Sequence, residues 1–111
     1  MVDDNIDAAD STAALLEADG HRVKAVHTAE AGLAEVDLFK PELVLLDIGL
    51  PRISGYEVVK RIKAVHPLIY VVALSGYGSS EDRQRAKAAG FDAHMVKPFD
   101  FDDLKKLIAT V

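Results

Sequence analysis

Short apolar runs alternate with longer amphipathic ones along this chain. Leu43-Val44-Leu45-Leu46 is continuously apolar and stops at Asp47, and Ile69 to Leu74 is a second such run. Strands apolar on both faces belong inside a parallel sheet that is covered on both sides. Ile6 to Asp19 carries Ile6, Ala9, Ala13 and Leu16 at helical spacing, and Gly20, which can take a positive φ, ends it. His21 to Val26 reads as a short strand. Thr28 is placed to cap a helix running to about Phe39, with Pro41 just beyond its end. Ser54-Gly55-Tyr56-Glu57 has the S-x-x-E form of a capping box and opens a helix to about Val65. Ser79 or Ser80 caps a helix from Glu81 to Ala89, ended by Gly90. Ala93 to Val96 reads as a last short strand, and Asp100 caps a final helix with Leu104, Leu107 and Ile108 on one face.

This pattern predicts one α/β domain over residues 1–111, a (βα)₅ doubly wound five-stranded parallel sheet. There is no internal repeat or low-complexity stretch. The first strand is the weak element. Only Met1 and Val2 precede an acid pair, whereas strands usually run about 5–6 residues. The strand is therefore expected to be truncated, and apolar residues added in front are expected to raise stability.

Composition narrows the function classes. The chain has 111 residues, half of them hydrophobic, and no cysteine, so disulfides, thiolate metal sites and cysteine nucleophiles are excluded. It has no run long enough to span a membrane and no signal-peptide pattern at its start, which favours the cytoplasm. The net charge is −5, and the clusters Lys60-Arg61/Lys63 and Lys105-Lys106 read as solvated helix faces, so direct nucleic-acid binding is not expected.

The candidate chemistry lies at strand ends. Asp3 and Asp4 follow the first strand, Asp47 closes the third, Ser75 the fourth and Lys97 the fifth. With the flavodoxin-like order 2-1-3-4-5, the first and third strands are neighbours at the switch point, where ligands bind beyond the carboxyl ends of strands. Three carboxylates held together there need a cation, and a few hard oxygen donors suit Mg²⁺. A hydroxyl and an ammonium on the same edge favour charge on a transferring phosphoryl group. His21, His27 and His66 show no metal-ligand spacing and read as surface residues. Gly76 and Gly78, flanking Tyr77, suggest a mobile loop.

Four signatures in order, Asp3-Asp4, Leu45-Leu46-Asp47-Ile48-Gly49-Leu50-Pro51, Ala73-Leu74-Ser75-Gly76-Tyr77 and Val96-Lys97-Pro98-Phe99, resemble those of response regulator receiver domains, the CheY-like family. The likeness covers almost the whole chain, and its style resembles receivers attached to hybrid sensor kinases. The resemblance implies that Asp47 is the phosphoacceptor, Asp4 a direct Mg²⁺ ligand and Asp3 an acid acting mainly through metal-bound water. It further implies that the Gly49 carbonyl is a metal ligand, that Ser75 moves toward the phosphoryl group, that Lys97 binds a phosphoryl oxygen, and that the bond before Pro98 is cis. A sensor histidine kinase or phosphotransfer protein is the implied donor. A downstream target or a homodimer is implied at the face of the fourth helix, fifth strand and fifth helix. The chain is then not an enzyme beyond its own phosphorylation and dephosphorylation.

At His94 the chain departs from the family, many members of which carry Tyr or Phe there. An edge-strand polar residue is the plainer expectation, and a pH-sensitive switch residue the sharper one. Three rivals stand beside this reading. A haloacid-dehalogenase-type enzyme needs a second acid where Gly49 stands. An FMN carrier needs a hydroxyl- and glycine-rich loop where Asp3-Asp4-Asn5 stands. A phosphorylation-independent pseudo-receiver shares the fold and is the serious alternative.

Overall fold

A computed structural model describes residues 1–76 and 78–111, so Tyr77 and its expected loop role lie outside the described residues. Five helices, α1 (Ile6–Ala18), α2 (Ala29–Phe39), α3 (Gly55–Val65), α4 (Ser80–Ala89) and α5 (Phe101–Ala109), alternate with three regular strands. These are β1 (Leu43–Asp47), β2 (Tyr70–Ser75) and β3 (Ala93–Val96), parallel and ordered β1-β2-β3.

The first strand is truncated, as expected, to a bridge at Val2, and the second, expected over His21 to Val26, is likewise reduced to a bridge at Val26. Val2 bridges in parallel to Val26 on one side and Leu46 on the other. The predicted 2-1-3-4-5 order survives, but the 21–26 segment pairs only at Val26. There the Val26 N–H donates to the Met1 carbonyl at 2.8 Å, and the Val26 carbonyl accepts from the Asp3 N–H at 3.1 Å.

Alternation along the strands divides the core in two. Val44 and Leu46 of β1 and Val71 and Ala73 of β2 pack with α2, α3 and α4 residues such as Val36, Val58, Val59, Ile62 and Ala86. Leu45, Val72 and Leu74 face the other way, onto Leu16 of α1 and Leu104 of α5. A sheet with helices on both faces explains why its strands read as unbroken apolar runs.

The helix ends follow the expected residues with three refinements. Thr28 and Ser54 accept from Ala31 and Glu57 N–H, and Ser79 with Asp82 forms a complete reciprocal capping box. Ser54 and Glu57 do not complete theirs, because the Glu57 side chain turns to Arg61. Asp100 stands at the N-cap position of α5 with no side-chain cap bond. Gly20 (φ 96°) and Gly90 (φ 116°) end α1 and α4 in left-handed conformations, as expected. Lys63 is a further correction, since it is not a solvated face. Its Nζ donates to the Ile69 carbonyl at 2.6 Å and to Asp92 Oδ2 at 2.7 Å, tying α3 to the starts of β2 and β3.

Candidate acidic and lysine site

The site is built where the strands end. Asp47 closes β1, its N–H donating to the Val2 carbonyl at 2.9 Å and its Oδ1 accepting from the Gly49 N–H at 3.0 Å. The start of α3 presses on this strand end. A Cβ on Gly55 would lie 2.6 Å from Ile48 Cα and 2.8 Å from the Asp47 carbonyl, so only glycine allows that approach. Asp3 follows the Val2 bridge and is completely buried, with Oδ1 accepting from the Asn5 N–H at 3.0 Å. Lys97 follows β3, and its N–H donates to the Ser75 carbonyl at 2.7 Å, which sets the ends of β2 and β3 side by side. The Lys97–Pro98 peptide bond is cis, as the resemblance implies.

These placements bring four of the predicted groups together. Lys97 Nζ lies 2.6 Å from Asp3 Oδ2 and 3.4 Å from Asp47 Oδ2. Asp3, Asp4 and Asp47 offer carboxylate oxygens that all lie within 4.8 Å of one another. Asp4 is exposed while Asp3 and Asp47 are buried, so the acid trio is open to solvent on one side. Ser75 is buried at the end of β2, not in a loop.

The electrostatics are uneven. Burial pushes the Asp3 carboxyl up, but hydrogen bonds from Lys97 and Asn5 outweigh it and hold Asp3 below the usual carboxylate range. Asp47 lies above that range. Burial raises it and the neighbouring Asp3 adds to the rise, against partial opposition from the Gly49 N–H and Lys97. Burial alone would lower Lys97, and the two carboxylates raise it instead. A buried carboxylate whose charge is still disfavoured beside a lysine fits a site completed by a hard divalent cation. The donor set, three carboxylate oxygens open on one side, suits Mg²⁺, which keeps several waters.

His94, on the edge strand β3, is half-buried, and both ring nitrogens are buried with no hydrogen-bond partner among the described residues. Burial, with Arg83 adding and Asp82 opposing, lowers its pKa. His27 corrects the surface reading. Its Nδ1 lies 3.2 Å from the Asp3 carbonyl oxygen and its Nε2 3.6 Å from Asp10. His66 stays at the surface, where its Nε2 lies 2.8 Å from the exposed Asp37 Oδ1. Asn5 was missed at the sequence level. It caps α1 by accepting from the Ala8 N–H while its own N–H holds Asp3, and an Asn just before the first apolar-periodic residue was the signal for it.

Among the described residues no helix is long and apolar enough to cross a membrane. A sequence model described as the response regulator receiver domain matches residues 1–109. The nitrogen assimilation regulatory protein NtrX of Azorhizobium caulinodans is 36% identical over 106 residues, covering 94% of this chain and 23% of that protein. Sporulation initiation phosphotransferase F of Bacillus subtilis is 35% identical over 83 residues, covering 72% of this chain and 67% of that protein. A CheY-like response regulator receiver domain protein of Methanospirillum hungatei superposes with a TM-score of 0.91 at 34% identity, over 98% of this chain and 87% of that one. The chain spans 38% of the two-component response regulator PhoP of Pseudomonas aeruginosa, and so well under half of this relative and of NtrX. With its residues matched almost end to end and its acids and lysine gathered at one sheet edge, the chain belongs to the response regulator receiver domain family of two-component systems.

Proposed function

We propose that Asp47 accepts a phosphoryl group from a phosphohistidine on a sensor histidine kinase or phosphotransfer protein, in a Mg²⁺-dependent reaction. The observation that carries this reading is the trio of Asp3, Asp4 and Asp47 with Lys97 Nζ set between two of its members. An Asp47 carboxylate oxygen bonds to phosphorus as the P–N bond of the phosphohistidine breaks, and the imidazole leaves with the bonding electrons and takes up a proton. Lys97 exchanges a carboxylate contact for a phosphoryl oxygen, and the Ser75 hydroxyl moves toward the same group. Asp4, Asp47 and the Gly49 carbonyl would hold Mg²⁺, with Asp3 acting through water, and the ion would supply the neutralising charge that lets an anionic carboxylate meet an anionic phosphoryl group.

The phosphoryl group then biases two arrangements of the face made by α4, β3 and α5, His94 included, toward a downstream target or a homodimer. The chain acts on itself and not on a separate substrate, and it works in the cytoplasm. The relative named a phosphotransferase supports this direction.

Intact mass after incubation with acetyl phosphate and Mg²⁺ tests the reading. A gain of one phosphoryl group is expected, lost in Asp47→Asn and with EDTA. No gain in the unaltered protein would overturn it and leave the phosphorylation-independent binding module standing.

A further inference from the structure

A pocket of about 370 Å³ opens between α4 and β3. Ala86, Phe91 and Ala93 give it an apolar lining, and Arg83, Lys87 and His94 give it hydrogen-bond donors. Arg83 and Lys87 stand one turn apart on α4, the spacing that places side chains on one helix face. Both are exposed, and neither has an ion pair among the described residues. The acids nearby are already engaged. Asp92 also lines the pocket, but its Oδ2 accepts from the Lys63 ammonium at 2.7 Å and from the Val71 N–H at 2.9 Å. Asp82 closes the helix cap with Ser79.

His94 completes the donor set. It pairs in register with Ala73, which packs on the α3 and α4 side of the sheet, so the imidazole lies on that side too. Both of its ring nitrogens are buried with no partner among the described residues. A buried polar group left unpaired is costly, and it marks a place where something else completes the bonding. Burial, with Arg83 adding and Asp82 opposing, lowers the pKa of the ring. The pocket therefore offers two unpaired cations and an unsatisfied imidazole, and it lacks a free acceptor. Its volume is at the small end of the range for small-molecule pockets, about 300–1,000 Å³.

We propose that this pocket binds a small organic carboxylate, its apolar body against Ala86, Phe91 and Ala93 and its carboxylate accepting from Arg83, Lys87 and the His94 ring. The cations select for negative charge through charge-assisted bonds, and the apolar lining selects for a body attached to it. Around the ring, Arg83 and Lys87 of α4 disfavour its protonation, whereas Asp82 and Asp92, the latter paired with Lys63 of α3, favour it. A bound carboxylate tips that balance toward the imidazolium, so binding takes up a proton and strengthens as pH falls. The site stands apart from phosphoryl transfer at Asp47, and its test needs neither metal nor phosphodonor.

The probe is benzoate, titrated into the protein in EDTA while backbone amides and the His94 ring protons are followed by NMR. Saturable shifts are expected at Arg83, Lys87, Phe91 and His94, with a rise in the pKa of the His94 ring in the bound state. Binding should be about tenfold tighter at about pH 5.5 than at about pH 8, the equivalent of one unit in that pKa. Benzyl alcohol, which keeps the body without the charge, and inorganic phosphate, which keeps charge without the body, should each bind about tenfold more weakly. Replacing the two exposed cations together, Arg83→Gln with Lys87→Gln, should abolish the benzoate shifts, and His94→Gln should remove the pH dependence. Unmoved His94 resonances at millimolar benzoate, a ring pKa that benzoate leaves in place, equal binding of either control, or undiminished binding to the doubly substituted protein would each overturn the proposal.

Discussion

Lys97 is the only counter-charge that the described residues bring to Asp3 and Asp47, and the metal-free site depends on it. Removing one partner of a buried ion pair leaves an uncompensated charge, at a cost of about 3–5 kcal/mol. Lys97→Met should therefore destabilise the protein in EDTA by about 3 kcal/mol, the lower end of that range because the lysine is 30% exposed. Millimolar Mg²⁺ should restore part of the loss by ordinary linkage. Urea unfolding with and without metal measures both, and a loss below about 1 kcal/mol would mean that water already screens the pair. Much of this residue scale is legible in sequence, because Asp47, Ser75 and Lys97 each close an apolar run. The unequal burial of Asp3 and Asp4 is not legible. It follows from the turn that Asn5 makes, and the contact of His27 with Asp3 joins residues 24 positions apart.

At the scale of elements, Ser54, Ser79 and Asp100 look alike as helix openers, yet they differ in what they close. Ser79 and Asp82 bond reciprocally, Ser54 makes one bond, and Asp100 makes none with its side chain. Ser79→Ala should cost about 1 kcal/mol, whereas Asp100→Ala should stay within about 0.5 kcal/mol. Thermal melts of the two variants side by side decide this, and equal losses would refute the distinction. Helix limits were legible because caps and Gly stops are local signals. The shortness of the first strand was legible too, in the acid pair that follows Val2, but that of the second was not, because a strand is a pairing and not a segment. His21 to Val26 has a suitable sequence, but only Val26 makes a bridge.

For the molecule as a whole, the amino terminus makes stability depend on pH. Burial lowers the Met1 amino group from 8.0 to about 6. Between these values the unfolded chain holds a proton that the folded chain does not, so stability falls as pH is lowered from 8 to 6, and the loss is complete below 6. The loss should be on the order of 1–2 kcal/mol. His94, also lowered, adds a loss of the same sign that begins near its ordinary value of 6.5. Acetylating the terminus should flatten the upper part of the curve and His94→Gln the lower part, as followed by Tm against pH. If neither changes the curve, other groups carry it. The doubly wound plan was legible from alternation alone, since burial on both faces leaves Val44 to Leu46 and Val71 to Leu74 without a polar residue, ahead of Asp47 and Ser75 at the strand ends. The contact between Lys97 and Asp3 spans 94 positions of sequence. Closing so long a loop is entropically slow and is repaid only when the strands between are already in place. A nascent chain therefore carries its acids long before it carries the lysine that balances them, and the site is among the last things folding makes. On the proposed function, competence at Asp47 would report that synthesis has passed β3 and the sheet has closed, and a partly folded chain should present the acids without the lysine beside them.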